Sequence, residues 1–111
     1  MKELVSIIVP VYNVEGLICE TMDCVRAQTW QCWELLLVED GSSDGTIQVI
    51  KRYMEEKGDE RIRLIRQPRN LGSAQARNRR LLEASGRYIA YLDSDDLWEP
   101  EKLEKELAFL K

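Results

Sequence analysis

Three carboxylates fall within four positions at Asp93-Ser94-Asp95-Asp96, directly after the apolar, β-prone run Tyr88-Ile89-Ala90-Tyr91-Leu92. Carboxylates crowded in this way repel one another. At about 4 Å, with an effective dielectric near 20, each like-charge contact costs roughly 4 kcal/mol. A divalent cation removes that cost, and Mg²⁺ or Mn²⁺ prefers oxygen ligands of this kind. The same residues also suit a plainer role, an acidic loop that caps the next helix, and taken alone they lean toward it. A second acidic turn, Glu39-Asp40 followed by Gly41-Ser42-Ser43-Asp44-Gly45, closes another apolar run. Pro10-Val11-Tyr12-Asn13 comes after a third.

Composition narrows the chemistry. The 111 residues carry a net charge of −4, which argues against a nucleic-acid surface, since that needs a basic patch. A phosphorylated ligand would have to be met locally, by a metal or a few placed cations. Histidine is absent, which removes His-based catalysis and almost all zinc chemistry. Cys19, Cys24 and Cys32 are odd in number and lack a metal-type spacing, so they read as reduced thiols, packed as small apolar residues or exposed. The N-terminus is not patterned as a signal peptide, and no 18 consecutive residues are apolar, so a cytoplasmic protein is expected. Gly41 and Gly45 do not fit the P-loop or dinucleotide fingerprints.

The elements that must position these residues are set by periodicity. Leu4 to Val9 reads as a buried strand ended by Pro10, with Asn13 as N-cap of a helix from Val14 to Gln28. That helix carries the stripe Leu17, Ile18, Thr21, Met22, Cys24 and Val25. Thr29 to Trp33 is a connection whose two tryptophans would cover the sheet edge. Glu34 to Val38 is a second strand. A turn and cap sequence then leads into a helix from Thr46 to Lys57, with Ile47, Ile50 and Met54 on one face and Val49 and Tyr53 beside it. Gly58-Asp59 stops it. Arg61 to Arg66 suits an exposed edge strand, and Ser73 to Ser85 a helix stopped by Gly86. Arg87 to Leu92 reads as a strand buried on both faces, and a last helix opens at Pro100 and runs through Phe109, with Leu103, Leu107 and Leu110 inward. No repeat, low-complexity segment or linker interrupts this single domain.

Strands alternating with helices predict an α/β fold: a Rossmann-like parallel sheet with helices on both faces and right-handed crossovers. Ligands in such sheets sit outside the carboxyl ends of the strands, at the switch point in strand order. Pro10 to Asn13, Asp40 with its turn, and Asp93 to Asp96 all lie just past strand ends, so they share one edge. One acidic turn is a cap; two beside a Tyr-Asn loop make a ligand site. Arg77, in the early turns of its helix, offers a cation near that edge, although the spacing fits a solvated arginine equally well. Asn70-Leu71-Gly72 reads as a turn with Gly72 in a conformation that glycine tolerates.

In their order, these residues resemble a family. Val5-Ser6-Ile7-Ile8-Val9-Pro10-Val11-Tyr12-Asn13, Gln28-Thr29-Trp30 and Val38-Glu39-Asp40-Gly41-Ser42-Ser43-Asp44-Gly45-Thr46 are similar to the opening of a family-2 glycosyltransferase. Asn70-Leu71-Gly72, Ala76-Arg77-Asn78 and Tyr91-Leu92-Asp93-Ser94-Asp95-Asp96 continue the match across essentially the whole chain. The resemblance implies the nucleotide-sugar-binding half of a GT-A fold and inverting transfer from a nucleotide-diphosphate sugar, typically a UDP-sugar. It implies that Pro10 and Tyr12 line the nucleoside pocket, that Glu15 contacts the nucleoside, and that Asp40 accepts a hydrogen bond from the base. Arg77 would approach the phosphates. Asp93 and Asp95 would form an Asp-x-Asp motif, Asp93 toward the ribose with Ser94 beside it, and Asp95 on the divalent metal, Mn²⁺ or Mg²⁺.

Family members continue beyond the helix after Asp-x-Asp into an acceptor half that contributes the general base. The sequence therefore reads as truncated before that half, with no base to nominate within it. The acceptor, whether a sugar, a lipid carrier or a protein, is not legible, and the full-length protein could be membrane-peripheral. The strand from Arg87, normally covered by later strands, would leave an apolar edge that promotes a homodimer. Two other readings stand beside this one. A nucleotide-binding module without catalysis differs only in the chain beyond Lys111. A phosphoacceptor receiver domain shares the length and βα order, but Pro-Val-Tyr-Asn after the first strand speaks against it.

Overall fold

The computed structural model describes residues 3–66, 84–94 and 96–110. Among these residues seven elements succeed one another: β1 (Val5–Val11), α1 (Ile18–Arg26), β2 (Trp33–Glu39), α2 (Thr46–Lys57), β3 (Ile62–Arg66), β4 (Tyr88–Tyr91) and α3 (Lys102–Leu110). Apart from its last two residues, the helix expected over 73–85 lies outside the described residues. The turn at 70–72, Arg77 and Asp95 lie outside them too.

The pairings between these strands are parallel, in the order β3-β2-β1-β4. Alternation along β1 and β2 sends Val5, Ile7, Val9, Val11, Leu35 and Leu37 to one face. There they pack against Ile18, Met22 and Val25 of α1, Ile50 and Tyr53 of α2, and Leu103 and Leu107 of α3, so these three helices cover the same face. The opposite face buries Ile8, Leu36, Val38 and Ile65, with Ala84 packed against them. The central strands are apolar on both faces because each face is covered, as parallel sheets require.

The expected helix at 46–57 forms over that range, and Gly58 ends it in the left-handed conformation (φ 59°). β3 is a half-exposed edge strand, as its alternating charges predict.

Several expectations fail for identifiable reasons. β1 runs through Pro10 to Val11 instead of ending at the proline. The amide of Leu92 donates to the Ile8 carbonyl and that of Asp40 to Val11, so ladder bonding in β1 alternates between β4 and β2. Pro10 faces the β4 side, beyond the last pair Ile8↔Tyr91, where no ladder bond needs its missing N–H. α1 begins at Ile18 with Leu17 as N-cap and no side-chain cap. Asn13 is therefore not the cap; its side chain serves the loop after β2 instead. β4 is not buried on both faces, because it is the outer strand here and Ile89 and Tyr91 are 42% and 52% exposed. Trp33 is not an edge cover. It opens the central strand β2 inside the core, with the Arg61 guanidinium 3.8 Å from its ring centroid. On α2 the inward face centres on Ile50 and Tyr53, while Ile47 is half-buried.

Candidate functional site

The carboxyl ends of β1, β2 and β4 meet on one rim. Val11 is in register with Glu39 and Ile8 with Tyr91, so the loops beyond these strands start side by side. The chain leaves β1 toward β2 on one side, while β4 lies on the other, which makes the β1/β4 boundary the switch point. Tyr12 stands half-exposed immediately after β1. Asp40 is held next to it, its amide donating to the Val11 carbonyl at 3.0 Å. Asp93 is exposed two residues past the end of β4.

The loops after β1 and β2 are bound into one unit by side chains. Asn13 adopts a left-handed backbone (φ 51°), which its short amide side chain tolerates better than most residues. Its Oδ1 accepts the amides of Ser43 (2.8 Å) and Asp44 (3.4 Å), and its own amide donates to Ser42 Oγ at 2.9 Å. The Val14 amide donates to Thr46 Oγ1 at 2.9 Å. Glu39, buried at the end of β2, turns its carboxylate back on the loop and accepts the amides of Gly41 (3.0 Å) and Ser42 (2.5 Å). Gly41 itself needs positive φ (84°). Asp44 accepts the amide and hydroxyl of Thr46, and these bonds, the hydroxyl first, hold its carboxyl below the usual range. The Glu15 carboxylate lies so close to Gly45 that a Cβ there would sit 2.5 Å from Glu15 Oε2.

The acidic turn after β4 is anchored from α1. The Asp96 amide closes the turn on the Asp93 carbonyl at 3.0 Å. Thr21 Oγ1 donates to the carbonyl of Ser94 at 2.7 Å. Farther along, Cys24 Sγ accepts the Trp98 amide at 2.8 Å, and Gln28 Nε2 donates to the Glu99 carbonyl while its Oε1 accepts the Leu103 amide. None of the three cysteines forms a disulfide.

The structure thus brings Tyr12, Glu15, Asp40, Asp93 and Ser94 to one rim, with Pro10 at its base; Arg77 and Asp95 lie outside the described residues. Sequence reasoning gave Glu39, Asn13 and Thr21 no part, or a different one, in this site. Glu39 had one readable signal, a carboxylate placed just before a Gly-Ser-Ser turn full of unpaired amides.

The donor chemistry of the rim fits a hard divalent cation. Among the described residues no three acidic or thiol side chains gather as a ready-made metal site. Mg²⁺ and Mn²⁺ sites that take phosphates commonly use only one or two carboxylates, the rest being phosphate oxygens and water. Asp93, exposed on the rim, is one carboxylate of that kind.

The sequence profile of glycosyl transferase family 2 matches residues 6–111. The chain belongs to this family. Among its relatives is TuaG of Bacillus subtilis (strain 168), named for a glycosyltransferase role in teichuronic acid biosynthesis, 47% identical over 98% of this chain and 42% of its own length. Another is the UDP-Glc:alpha-D-GlcNAc-diphosphoundecaprenol beta-1,3-glucosyltransferase WfgD of Escherichia coli, 45% identical over 96% of this chain and 41% of its own length. Of solved structures, the mannosyltransferase of Pyrobaculum calidifontis in complex with GDP-Man and Mn²⁺ superposes with a TM-score of 0.89 at 31% identity, over 96% of this chain and 32% of that one. Staphylococcus aureus TarS in complex with UDP gives 0.83 at 30% identity, over 96% and 31%. This family-2 chain therefore spans less than half the length of these relatives, and its sheet is that of GT-A glycosyltransferases.

Proposed function

We propose that this chain is the donor-binding domain of an inverting glycosyltransferase that uses a nucleoside-diphosphate sugar, a UDP-sugar by preference, with Mn²⁺ or Mg²⁺. The observation that carries the reading is the convergence of Tyr12, Asp40 and Asp93 on one rim at the β1/β4 switch point. In this reading Pro10 and Tyr12 line the nucleoside pocket, Glu15 contacts the nucleoside, and Asp40 accepts a base N–H. Asp93 and Ser94 face the ribose, Arg77 approaches the phosphates, and Asp95 with Asp93 holds the metal. The bound cation supplies Lewis-acid stabilisation of the leaving diphosphate. The chain's own residues bind and orient the donor, and the rigid pair of loops fixed by Asn13 and Glu39 keeps the pocket formed before ligand arrives.

The complexes with GDP-Man and Mn²⁺ and with UDP support this chemistry, and the names of the relatives support a place in cell-envelope polysaccharide synthesis. The acceptor class proposed for the whole protein is a saccharide carried on a lipid diphosphate, met at the cytoplasmic membrane surface. No helix among the described residues is long and apolar enough to cross a membrane. The alternative reading is donor binding without transfer.

Titration calorimetry with UDP, GDP and dTDP, with and without Mn²⁺, tests the reading. Tight UDP binding that requires Mn²⁺ and is lost in Asp95→Ala is the expected result. Binding indifferent to metal would overturn the metal assignment. Released UDP in the presence of saccharide acceptors separates transfer from binding alone. The exposed β4 edge, with Ile89 and Tyr91 outward, is proposed to pair two copies; light scattering that gives a clean monomer at high concentration would exclude this.

A further inference from the structure

We propose that Thr21 on α1 is a positioning residue for the acidic turn, setting the geometry in which Asp93 and its neighbours meet the metal and the donor. The inference rests on the donor-binding reading above and deepens it. Thr21 is 1% exposed and lies 73 residues from Ser94 in sequence, so only the fold brings them together. A threonine hydroxyl has one proton. Within a helix it ordinarily donates to the carbonyl four residues earlier. Here that carbonyl, on Leu17, is 3.4 Å away, whereas the Ser94 carbonyl is at 2.7 Å, so the proton goes to Ser94.

Ser94 is the middle residue of Asp-x-Asp. Holding its carbonyl fixes the backbone one residue past Asp93, and the hydrogen bond from the Asp96 amide to the Asp93 carbonyl closes the turn. Acidic residues crowded into one turn repel one another, so a backbone anchor from outside the turn opposes their separation. Cys24 on α1 holds Trp98 in the same way, and Gln28, just past the end of α1, holds Glu99 and Leu103. The side chains at 21, 24 and 28 therefore anchor residues 94, 98, 99 and 103 beside α1. Thr21 is the member that reaches the acidic turn. It touches neither metal nor donor itself, which separates it from the residues assigned to binding.

The test compares Thr21→Val, which keeps the shape and removes the donor, with Thr21→Ser, which keeps the hydroxyl. Mn²⁺ is titrated against protein at saturating UDP, UDP is titrated at saturating Mn²⁺, and Tm is recorded for each variant. The expected result is an apparent Mn²⁺ affinity about ten- to a hundredfold weaker in Thr21→Val. UDP affinity at saturating metal should change far less, and Thr21→Ser should restore the wild-type value. A Thr21→Val protein with lowered Tm but unchanged Mn²⁺ affinity overturns the inference, because packing alone would then explain the residue. If Thr21→Val does not fold, Thr21→Cys, which keeps the volume with a weaker donor, is judged by the same criterion. A wild-type protein whose UDP binding ignores Mn²⁺ overturns the metal reading and this inference together. A metal-dependent wild type beside an unchanged variant overturns this inference alone.

Discussion

The two ends of the sheet handle charge in opposite ways. At the amino end, where the strands begin, carboxylates meet arginines. Asp59 is clasped by Arg61 at 2.7 Å and Arg26 at 3.3 Å, and Arg87 approaches Glu3. The Arg61 hydrogen bond, ahead of the backbone and Arg26, holds the Asp59 carboxyl down at about 2. Nearby, burial first and a hydrogen bond to Asp23 second push the Tyr53 hydroxyl up to about 12. At the carboxyl end, several described carboxylates instead meet backbone amides or face outward. Glu39 and Asp44 hold loop amides, and Asp93 and Asp96 are exposed. An acid closed by an arginine is committed to the fold. An acid at a strand end that opens to solvent, on loops held by other groups, remains available to a cation. The comparison teaches that acidity alone marks neither stability nor function; what holds the acid does.

The strongest way to break this contrast is a cross-over of readouts. Asp95→Ala and Asp93→Ala should weaken Mn²⁺-dependent UDP binding on the order of a hundredfold or more while leaving Tm nearly unchanged. Asp59→Ala should do the reverse. Calorimetry and thermal unfolding of the same samples decide it, and loss of binding in Asp59→Ala would dissolve the distinction.

Next in size is Gly86→Ala, at the entry to β4. A Cβ there would meet Ser6 Oγ at 2.5 Å, Ser6 N at 2.6 Å and the Leu4 carbonyl at 2.9 Å, and two of those atoms are backbone. Urea unfolding should show a loss of about 2–3 kcal/mol. Glu39→Gln keeps the shape but removes the charge that holds two amides. It should cost about 1–2 kcal/mol and loosen nucleotide binding as well, because the turn it supports adjoins Asp40.

The smallest effect is the pH dependence of the amino end. The folded Asp59 carboxyl titrates below its unfolded value, so its contribution is complete above about pH 4 and is lost as pH falls through about 2. Asp59→Asn should flatten that acid limb and lower stability at neutral pH by about 1–2 kcal/mol, allowing for partial solvent screening. An unchanged acid limb would mean that other carboxylates govern acid unfolding.

Much of the architecture was legible because it depends on local periodicity. The apolar runs at Val5–Val9 and Leu35–Val38, the helix from Thr46 to Lys57 and the left-handed Gly58 arise from residue types whose preferences act within a few positions. The α/β order then placed Tyr12, Asp40 and Asp93 on one rim, since parallel strands must end on the same side. Pro10 misled because its effect depends on which neighbour its missing N–H would face, and that is settled by strand order. Asn13 misled because a capping side chain serves whichever amides the fold brings to it, here those of Ser43 and Asp44.

By itself, then, the sequence determined the strand–helix alternation, the carboxylates at strand ends and the membership in family 2. Tertiary structure alone decided that β4 is the outer strand among those described, that Trp33 is core and that Thr21 reaches Ser94. These outcomes join residues about 30 to 70 positions apart through single hydrogen bonds or packing contacts. No local preference encodes such pairings, because each exists only once the sheet has set the distance between its partners.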